Sequence, residues 1–221
     1  GLVYFLVPYM IINVYVSLDG IDRNLEASAR TLGCSHWQTF REVQASGLFA
    51  SVAGYQVAPV AWTGRPDPEE LAALNVSANF LDVLGVRPAL GRGFLPGEDE
   101  AGGPRAVVLT DAFWRTRLGA DPGVLGTTLS LAGEPTTVVG VLPPGFPFAP
   151  GGEARLLVAV QPQGDRATRR NLNWIRPIAR LRDGTTVSQA RKQLAAFEDA
   201  LRERFPDAIG GVVSDLVPLR D

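Results

Sequence analysis

The strongest constraint on the fold is an 18-residue helical pattern near the carboxyl end of the chain. Residues 187–204 carry an apolar side chain at every third or fourth position, and Thr186 with Gln189 forms a capping box at the amino end. The apolar positions are Val187, Ala190, Leu194, Phe197, Leu201 and Phe205. The flanking runs Ile175–Leu181 and Gly211–Leu219 have the composition of strands. This order predicts a βαβ or split βαβ unit, in which the helix covers one face of a sheet.

The preceding stretch, from residue 44 onward, consists of short β-like runs separated by Gly and Pro, with capped helices between them. A helix is predicted at 77–85, capped by Ser77, and another at Asp111–Leu118, capped by Thr110 and ended by Gly119. A hairpin turn is predicted at 132–134. The predicted strands are Leu71–Asn75, Ala106–Leu109, Thr127–Leu131, Thr136–Leu142 and Leu156–Val160. The pattern as a whole predicts an α+β fold.

The amino end differs in character from this body. Residues 1–18 are almost wholly apolar and carry no charge, which is typical of a truncated transmembrane helix, although a buried core element of a soluble protein remains an alternative. Since the chain begins with Gly1 and its only methionine is Met10, we expect a fragment of a longer protein. Residues 19–43 follow as a predicted helical hairpin, bent at Gly33.

Charge and composition exclude several functional classes. The formal net charge of −2 offers no clustered basic surface for nucleic acid. A single cysteine, Cys34, excludes an internal disulfide framework, and together with the single histidine, His36, it excludes a multi-thiolate or multi-histidine metal site. No serine-hydrolase elbow precedes a helix. We therefore expect no catalytic residues, no cofactor and no metal.

Four further patterns admit two interpretations each. The Gly91-Arg92-Gly93 run is either a phosphate loop or, preferably, a turn. The Glu98-Asp99-Glu100 run is either a cation site or, preferably, a solvated loop. The tryptophans are core or interface anchors in preference to ligand-stacking residues. This applies to Trp62, Trp114 and Trp174, three of the four tryptophans. The excess of arginine over lysine either serves planar pairing with carboxylates or reflects a GC-rich genome.

The segment VPYMIINVYVSLDGIDRNLEASARTLGCSHWQTFREV resembles the cytoplasmic EAA loop of ABC permeases of the spermidine/putrescine type. Matching positions are Leu25, Glu26, Ala29, Arg30, Leu32, Gly33, Phe40 and Val43. The resemblance implies docking on an ABC ATPase subunit, with Glu26, Ala29, Gly33 and Phe40 at the contact. Ala27 replaces the usual motif glutamate, and residues 44–46 depart from the apolar-Leu-Pro continuation.

The rest of the chain, about 41–221, resembles the MacB-type periplasmic core domain of ABC transporter permeases. The blocks NVSANFLDVLGVRPALGRGFLPGEDE, VVLTDAFWRTRLGADPGVLGTTLSLAGEPTTVVGVLPPGFPF and NWIRPIARLRDGTTVSQARKQLAAFEDALRERFPD carry this resemblance. It implies a non-catalytic extracytoplasmic domain of a bacterial inner-membrane protein, with a porter-like split βαβ part and an inserted β-rich part. The implied partners are an ABC ATPase subunit, other permease or envelope subunits, and the membrane.

The two resemblances place the two parts of the chain on opposite sides of a membrane. No apolar run of about 20 residues lies between Ser17 and Ser51 to connect them. The sequence therefore predicts a chimera joined near Phe40. The leading hypothesis is an interaction and motion-relay domain of a permease, and the alternatives are an ATPase-coupling fragment of a polyamine-type permease and a free-standing soluble binding module.

Overall fold

The computed structural model describes residues 3–4, 36–146, 152–163, 175–204 and 216–218. The strands in chain order are β1 (Val3–Tyr4), β2 (Ser51–Val57), β3 (Val60–Thr63), β4 (Glu69–Leu71), β5 (Ala73–Val76), β6 (Leu90–Gly91), β7 (Ala106–Leu109), β8 (Thr128–Leu131), β9 (Glu134–Val141), β10 (Leu156–Ala159), β11 (Arg176–Arg180) and β12 (Val217–Pro218). The helices are α1 (His36–Ser46), α2 (Phe80–Leu84), α3 (Asp111–Leu118) and α4 (Val187–Arg204), with a 3₁₀ turn at Pro122–Val124.

The chain forms two compact units, and the predicted α+β class is confirmed. Unit 1 comprises residues 1–54, 83–85 and 162–221, and unit 2 comprises residues 55–82 and 86–161. The boundary at Gly54 and Tyr55 divides β2 between the two units.

The sheet of unit 2 closes into a ring. From the second half of β2 the strand order runs through β5, β10, β7, β9, β8, β3 and β4. Only two residues separate β2 from β3, and only Ala72 separates β4 from β5, so these four strands are the two arms of one long hairpin. The hairpin pairs along both halves, Tyr55 with Val76 and Trp62 with Glu69. Its β5 half adjoins β10 and its β3 half adjoins β8, so the path returns to its starting hairpin.

Alternate residues of these strands build the core of unit 2, because successive side chains of a strand point to opposite faces. Val138 and Val141 are three positions apart instead of two, because a bulge in β9 shifts its register against β7 by one residue. The buried cluster consists of Leu71, Ala73, Val107, Leu109, Phe113, Val124, Leu129, Leu131, Val138, Val141 and Leu156. Phe113 and Val124 reach it from outside the strands, from α3 and the 3₁₀ turn.

Helix α3 matches its sequence prediction at both ends. The Thr110 hydroxyl accepts a hydrogen bond from the Phe113 N–H at 3.3 Å, and Gly119 ends the helix with a positive φ of 66°. The predicted hairpin of β8 and β9 is also confirmed. Ala132 and Gly133 at its turn have φ of 53° and 83°, which are the signs of a type I′ turn.

The segment from Gly91 to Asp99 is held tightly, contrary to the predicted solvated acidic loop. Glu98 and Asp99 are 5% and 3% exposed. Arg92 donates to both oxygens of Glu98, and the Leu95 N–H donates to the same carboxylate. Asp99 accepts from the Ala78 N–H at 3.0 Å. The prediction was wrong for Glu98 and Asp99, because their carboxylates are buried and bind backbone and arginine donors, whereas Glu100 is exposed.

Two other local predictions need adjustment at these residues. The interpretation of 91–93 as a turn is wrong, because Gly91 belongs to strand β6, where it pairs with Gly140, and Arg92 and Gly93 follow without a turn. Gly91 does have a positive φ of 73°. Helix α2 begins at Phe80, later than the predicted start at Ser77; the Ser77 hydroxyl donates to Asn79 Oδ1 at 2.9 Å, and Asp99 accepts from the Ala78 N–H. Gly85 ends the short α2 as predicted, with a φ of 72°.

The long helix predicted at residues 187–204 is present in unit 1 as α4. In α4 the side chains of Val187, Ala190 and Leu194 are buried, and the capping box is present, with Gln189 Oε1 accepting from the Thr186 N–H at 2.8 Å. The strand–helix–strand order β11, α4, β12 is confirmed, but β12 pairs with β1, antiparallel, Tyr4 opposite Val217. In the described residues β11 lies beside β2.

The amino-terminal predictions fall mostly outside the described residues. Of the predicted transmembrane-like helix at 1–18, the structure describes Val3–Tyr4, which form a strand instead of a helix. The predicted boundary between 43 and 44 falls inside α1, a single helix that continues to Ser46. Among the helices that the structure describes, none is both long and apolar enough to cross a membrane.

Candidate interaction surface

The most concentrated set of charged contacts in the described residues surrounds one carboxylate of unit 2. Glu69, at the start of β4, is contacted by three arginines, which together with it are named the arginine cluster. Arg117 Nη1 donates to Glu69 Oε1 at 2.8 Å and its Nη2 donates to Oε2. Arg155 Nη1 donates to Oε1 at 3.2 Å, and Arg65 Nη1 lies 3.8 Å from Oε2.

The cluster is assembled from four separate elements. Arg65 follows β3, Glu69 opens β4, Arg117 lies in the last turn of α3, and Arg155 directly precedes β10. The pairing of β4 with β3 fixes Glu69, and the backbone of Arg155 is held by its N–H donating to the Ala72 carbonyl at 2.8 Å. Regular secondary structure thus sets the positions of these charges.

An aromatic side chain supports two of the arginines. The guanidinium of Arg65 lies 4.2 Å from the centre of the Trp62 ring, and that of Arg117 lies 5.6 Å from it. Such cation–π contacts attract the guanidinium to the ring face. The Trp62 ring meets Phe113 edge to face at 5.6 Å. Trp62 therefore packs against the core of unit 2, as predicted for an anchor, and its ring also contacts the guanidinium groups of Arg65 and Arg117.

The excess of positive charge around Glu69 affects the pKa values of the cluster. The hydrogen bond from Arg117 has the largest effect and lowers the pKa of Glu69 below its ordinary value of 4.5. Burial opposes it in part, and charge attraction to Arg117, Arg155 and Arg65 lowers the pKa further. The same hydrogen bond raises the pKa of Arg117. Glu69 is thus held as a carboxylate, and Arg117 as a cation, at neutral pH.

A cavity of about 490 Å³ adjoins the cluster in unit 2. Its lining includes Thr110, Phe113, Arg117, Phe146 and Arg155. Two carboxylates line it as well, Asp111 and Glu153, and Asp111 is paired with Arg115 at 2.8 Å. The wall thus combines aromatic surface with guanidinium groups that belong to the cluster.

Of the four predicted ATPase-contact residues, the structure describes Phe40 alone. Glu26, Ala29 and Gly33 lie outside the described residues. Phe40 is 2% exposed, so its side chain packs inside unit 1. A Cβ on Gly54 would lie 3.3 Å from the Phe40 ring, which shows how closely that ring is covered.

The other patterns considered from sequence can now be placed. Trp114 donates from Nε1 to the Asp121 carbonyl at 2.9 Å and packs against the core of unit 2, as an anchor should. Trp174 lies outside the described residues. Across the described ranges, no group of three or more His, Cys, Asp or Glu side chains is placed to hold a metal ion.

Sequence reasoning missed the arginine cluster because its members lie far apart in the chain. Glu69 and Arg155 are separated by 86 positions and Glu69 and Arg117 by 48. The one available signal was the surplus of arginine over lysine, for which pairing with carboxylates was one of two interpretations.

Comparison with known proteins identifies the family. Residues 10–197 match the MacB-like periplasmic core domain, and the chain belongs to that family. The match begins before the predicted start of the core and extends through the predicted junction near Phe40, so it gives no support to a chimera or to a separate EAA-loop segment. No curated protein matches the sequence significantly.

Solved structures show the same fold. The extracellular domain of the noncanonical ABC-type transporter YknZ from Gram-positive bacteria is similar with a TM-score of 0.60 and 12% identity, over 98% of this chain and all of that one. The periplasmic region of MacB from Actinobacillus actinomycetemcomitans is similar with a TM-score of 0.59 and 12% identity, over 98% of this chain and 87% of that one. A domain of a permease protein from Porphyromonas gingivalis is similar with a TM-score of 0.61 and 17% identity, over 87% of this chain and 85% of that one.

Proposed function

We propose that this chain is the extracytoplasmic domain of an ABC-type permease, where it contacts other proteins of the transport system and relays motion without catalysing a reaction. The observation that carries the proposal is the family match over residues 10–197. An ABC ATPase subunit is the expected source of the motion, on the cytoplasmic side of the same assembly.

The pairing of β1 with β12 supports this placement. Val3 lies opposite Pro218 and Tyr4 opposite Val217, so the chain enters and leaves unit 1 at neighbouring positions. A domain inserted between two consecutive membrane segments needs that arrangement, because both connections must return to the same membrane surface.

Cysteine labelling in cells tests the compartment. With the protein expressed in its native gene context and Cys34 replaced by serine, a cysteine is introduced at Ala101, which is exposed in unit 2, or at Ser188, which is exposed in unit 1. We expect a membrane-impermeant maleimide to label both variants in cells whose inner membrane is intact.

The matched control is a cysteine at Val107, which is 0% exposed and should react only after denaturation. Labelling of Ala101→Cys and Ser188→Cys only after the inner membrane is broken would place the domain in the cytoplasm and refute the proposal.

Coupling to an ATPase through Glu26, Ala29, Gly33 and Phe40 is the alternative proposal, motivated by the EAA-like residue pattern. It requires residues 19–43 to be cytoplasmic. A photocrosslinker at Glu26 that captures an ATPase subunit would support it, whereas unchanged transport after Glu26→Ala and Gly33→Ala would refute it. Since Phe40 is buried, its part in such coupling would be to anchor helix α1 in the core of unit 1.

A further inference from the structure

We propose that the arginine cluster of unit 2 is a docking surface for a carboxylate-rich segment of a partner protein. The inference rests on the proposed function only in taking the domain to be one that meets other proteins. The residues that would bind the partner's carboxylates are Arg65, Arg117 and Arg155, which lie around Trp62.

The first reason is the imbalance between donors and acceptors. Each guanidinium carries about five N–H donors, so three present far more than one carboxylate can accept. In the described structure the ion pairs of Arg65, Arg117 and Arg155 all lead to Glu69. Arg117 takes both oxygens of Glu69, which leaves Arg155 with one bond and Arg65 at ion-pair distance only.

The second reason is accessibility. The side chain of Arg155 is 48% exposed and that of Arg65 is 33% exposed, so both can meet an incoming group.

The third reason is that the guanidiniums are prepositioned. Trp62 holds Arg65 and Arg117 over its ring, and Glu69 holds Arg117 by a two-point pair. Ordering a flexible arginine side chain at an interface ordinarily costs binding free energy, and a side chain that is already fixed loses less. Planar guanidiniums also match carboxylates in two-point geometry.

A peptide segment fits this surface better than a lone anion. The three arginines come from different parts of the chain and meet at Glu69, where Arg65 and Arg155 keep exposed side chain to which the carboxylates of an extended segment can bind. The adjoining cavity, with the half-buried Pro143 and Phe146 in its wall, offers apolar surface to the side chains between those carboxylates.

The test uses the full 221-residue chain and a fluorescein-labelled hexaglutamate peptide, with binding followed by anisotropy. We expect Arg65→Gln/Arg155→Gln to weaken binding about tenfold, the product of two exposed ion pairs that each contribute a few-fold. The control Arg87→Gln/Lys192→Gln removes the same charge from exposed positions elsewhere and should change affinity less than about twofold. Affinity should fall as salt is raised.

A third variant separates docking from a purely structural role. Glu69→Gln removes the internal competitor for the arginines, so we expect the peptide to bind several-fold more tightly. A cluster that only stabilises the fold would lose stability in this variant without any gain in affinity. If Glu69→Gln fails to fold, the two double variants decide.

Three results would overturn the proposal. The first is equal affinity of wild type and Arg65→Gln/Arg155→Gln. The second is an equal loss in the control double variant, which means non-specific attraction. The third is competition by free glutamate at the same carboxylate concentration, which means a small-anion site. None of these bears on the compartment, which cysteine labelling reports independently.

Discussion

Arg92 and Glu98 form a two-point ion pair in unit 2, with Nη1 donating to Oε2 at 3.0 Å and Nη2 donating to Oε1 at 2.7 Å. The Glu98 side chain is 6% exposed, while that of Arg92 is 41% exposed. The Leu95 N–H donates to the same carboxylate at 2.7 Å. The pair fixes the segment after β6, and it raises the pKa of Arg92 through the hydrogen bond to Glu98.

Removing this carboxylate should destabilise unit 2. In Glu98→Ala the Leu95 N–H loses a partly buried hydrogen bond, and Arg92 loses both of its bonds to the carboxylate. We expect a loss of about 1–3 kcal/mol in the free energy of unfolding, measured by urea denaturation. Glu100→Ala, an exposed neighbour, is the control and should change it by less than about 0.5 kcal/mol. Equal effects of the two substitutions would contradict the structural role of the pair.

Gly140→Ala should destabilise unit 2 by forcing two backbones apart. A Cβ at this position would lie 2.2 Å from the Arg92 carbonyl oxygen, which cannot move without disturbing the pairing of β6 with β9. We expect a loss of about 1–3 kcal/mol, as for other overpacked sites. Gly93→Ala is the matched control, since its Cβ would meet Leu81 at an ordinary 3.6 Å. An unchanged thermal midpoint in Gly140→Ala would refute this close approach.

Leu109→Ala tests the core of the ring. Leu109 is 0% exposed and belongs to the buried cluster, so the substitution should leave a cavity and cost about 2–5 kcal/mol. Leu95→Ala removes the same atoms from a side chain that is 50% exposed, and we expect almost no change. Denaturant midpoints of the two variants, compared with wild type, measure the difference. Similar losses in both would argue against a core at this position.

The stabilising effect of Glu69 should depend on pH with a defined sign. Because its pKa is lowered in the folded state, chiefly by the Arg117 hydrogen bond, its contribution is fully present above the ordinary value of 4.5. It is lost as pH falls below 4.5 and through the lowered folded value. The gap in urea midpoint between wild type and Glu69→Gln should therefore be constant from about pH 6 to 8 and shrink in acid. A gap that widens in acid would reverse the sign and refute the assignment.

Helix α3 shows what local sequence signals can predict. Thr110, Asp111–Leu118 and Gly119 specify a cap, a helix and a stop within ten residues, and the structure has all three. The capping box of α4 was predicted for the same reason. These features depend on hydrogen bonds between residues three or four positions apart, which composition and spacing reveal.

The ring and the arginine cluster depend on distant pairings, which the sequence did not reveal. Strands β2 and β3 were not predicted, because Pro59 separates them and Gly64 follows directly, and both residues are loop signals in the sequence. The acidic run at 98–100 was misread because the donor for Asp99 lies 21 positions earlier, at Ala78. A side chain's partner decides whether a charge is solvated, and one-dimensional spacing does not supply that partner.

The ring of unit 2 can close only after its last strand in the sequence has been synthesised. Strand β10 lies between β5 and β7, and it is the last of the ring strands to leave the ribosome. Until Leu156–Ala159 arrive, β5 and β7 each present an unpaired strand edge, the kind of surface that recruits strands from other chains. A polypeptide ending at residue 150 should therefore aggregate under conditions in which the full chain stays dispersed, as measured by size-exclusion chromatography. The nascent domain is thus protected from self-association only once β10 has been added.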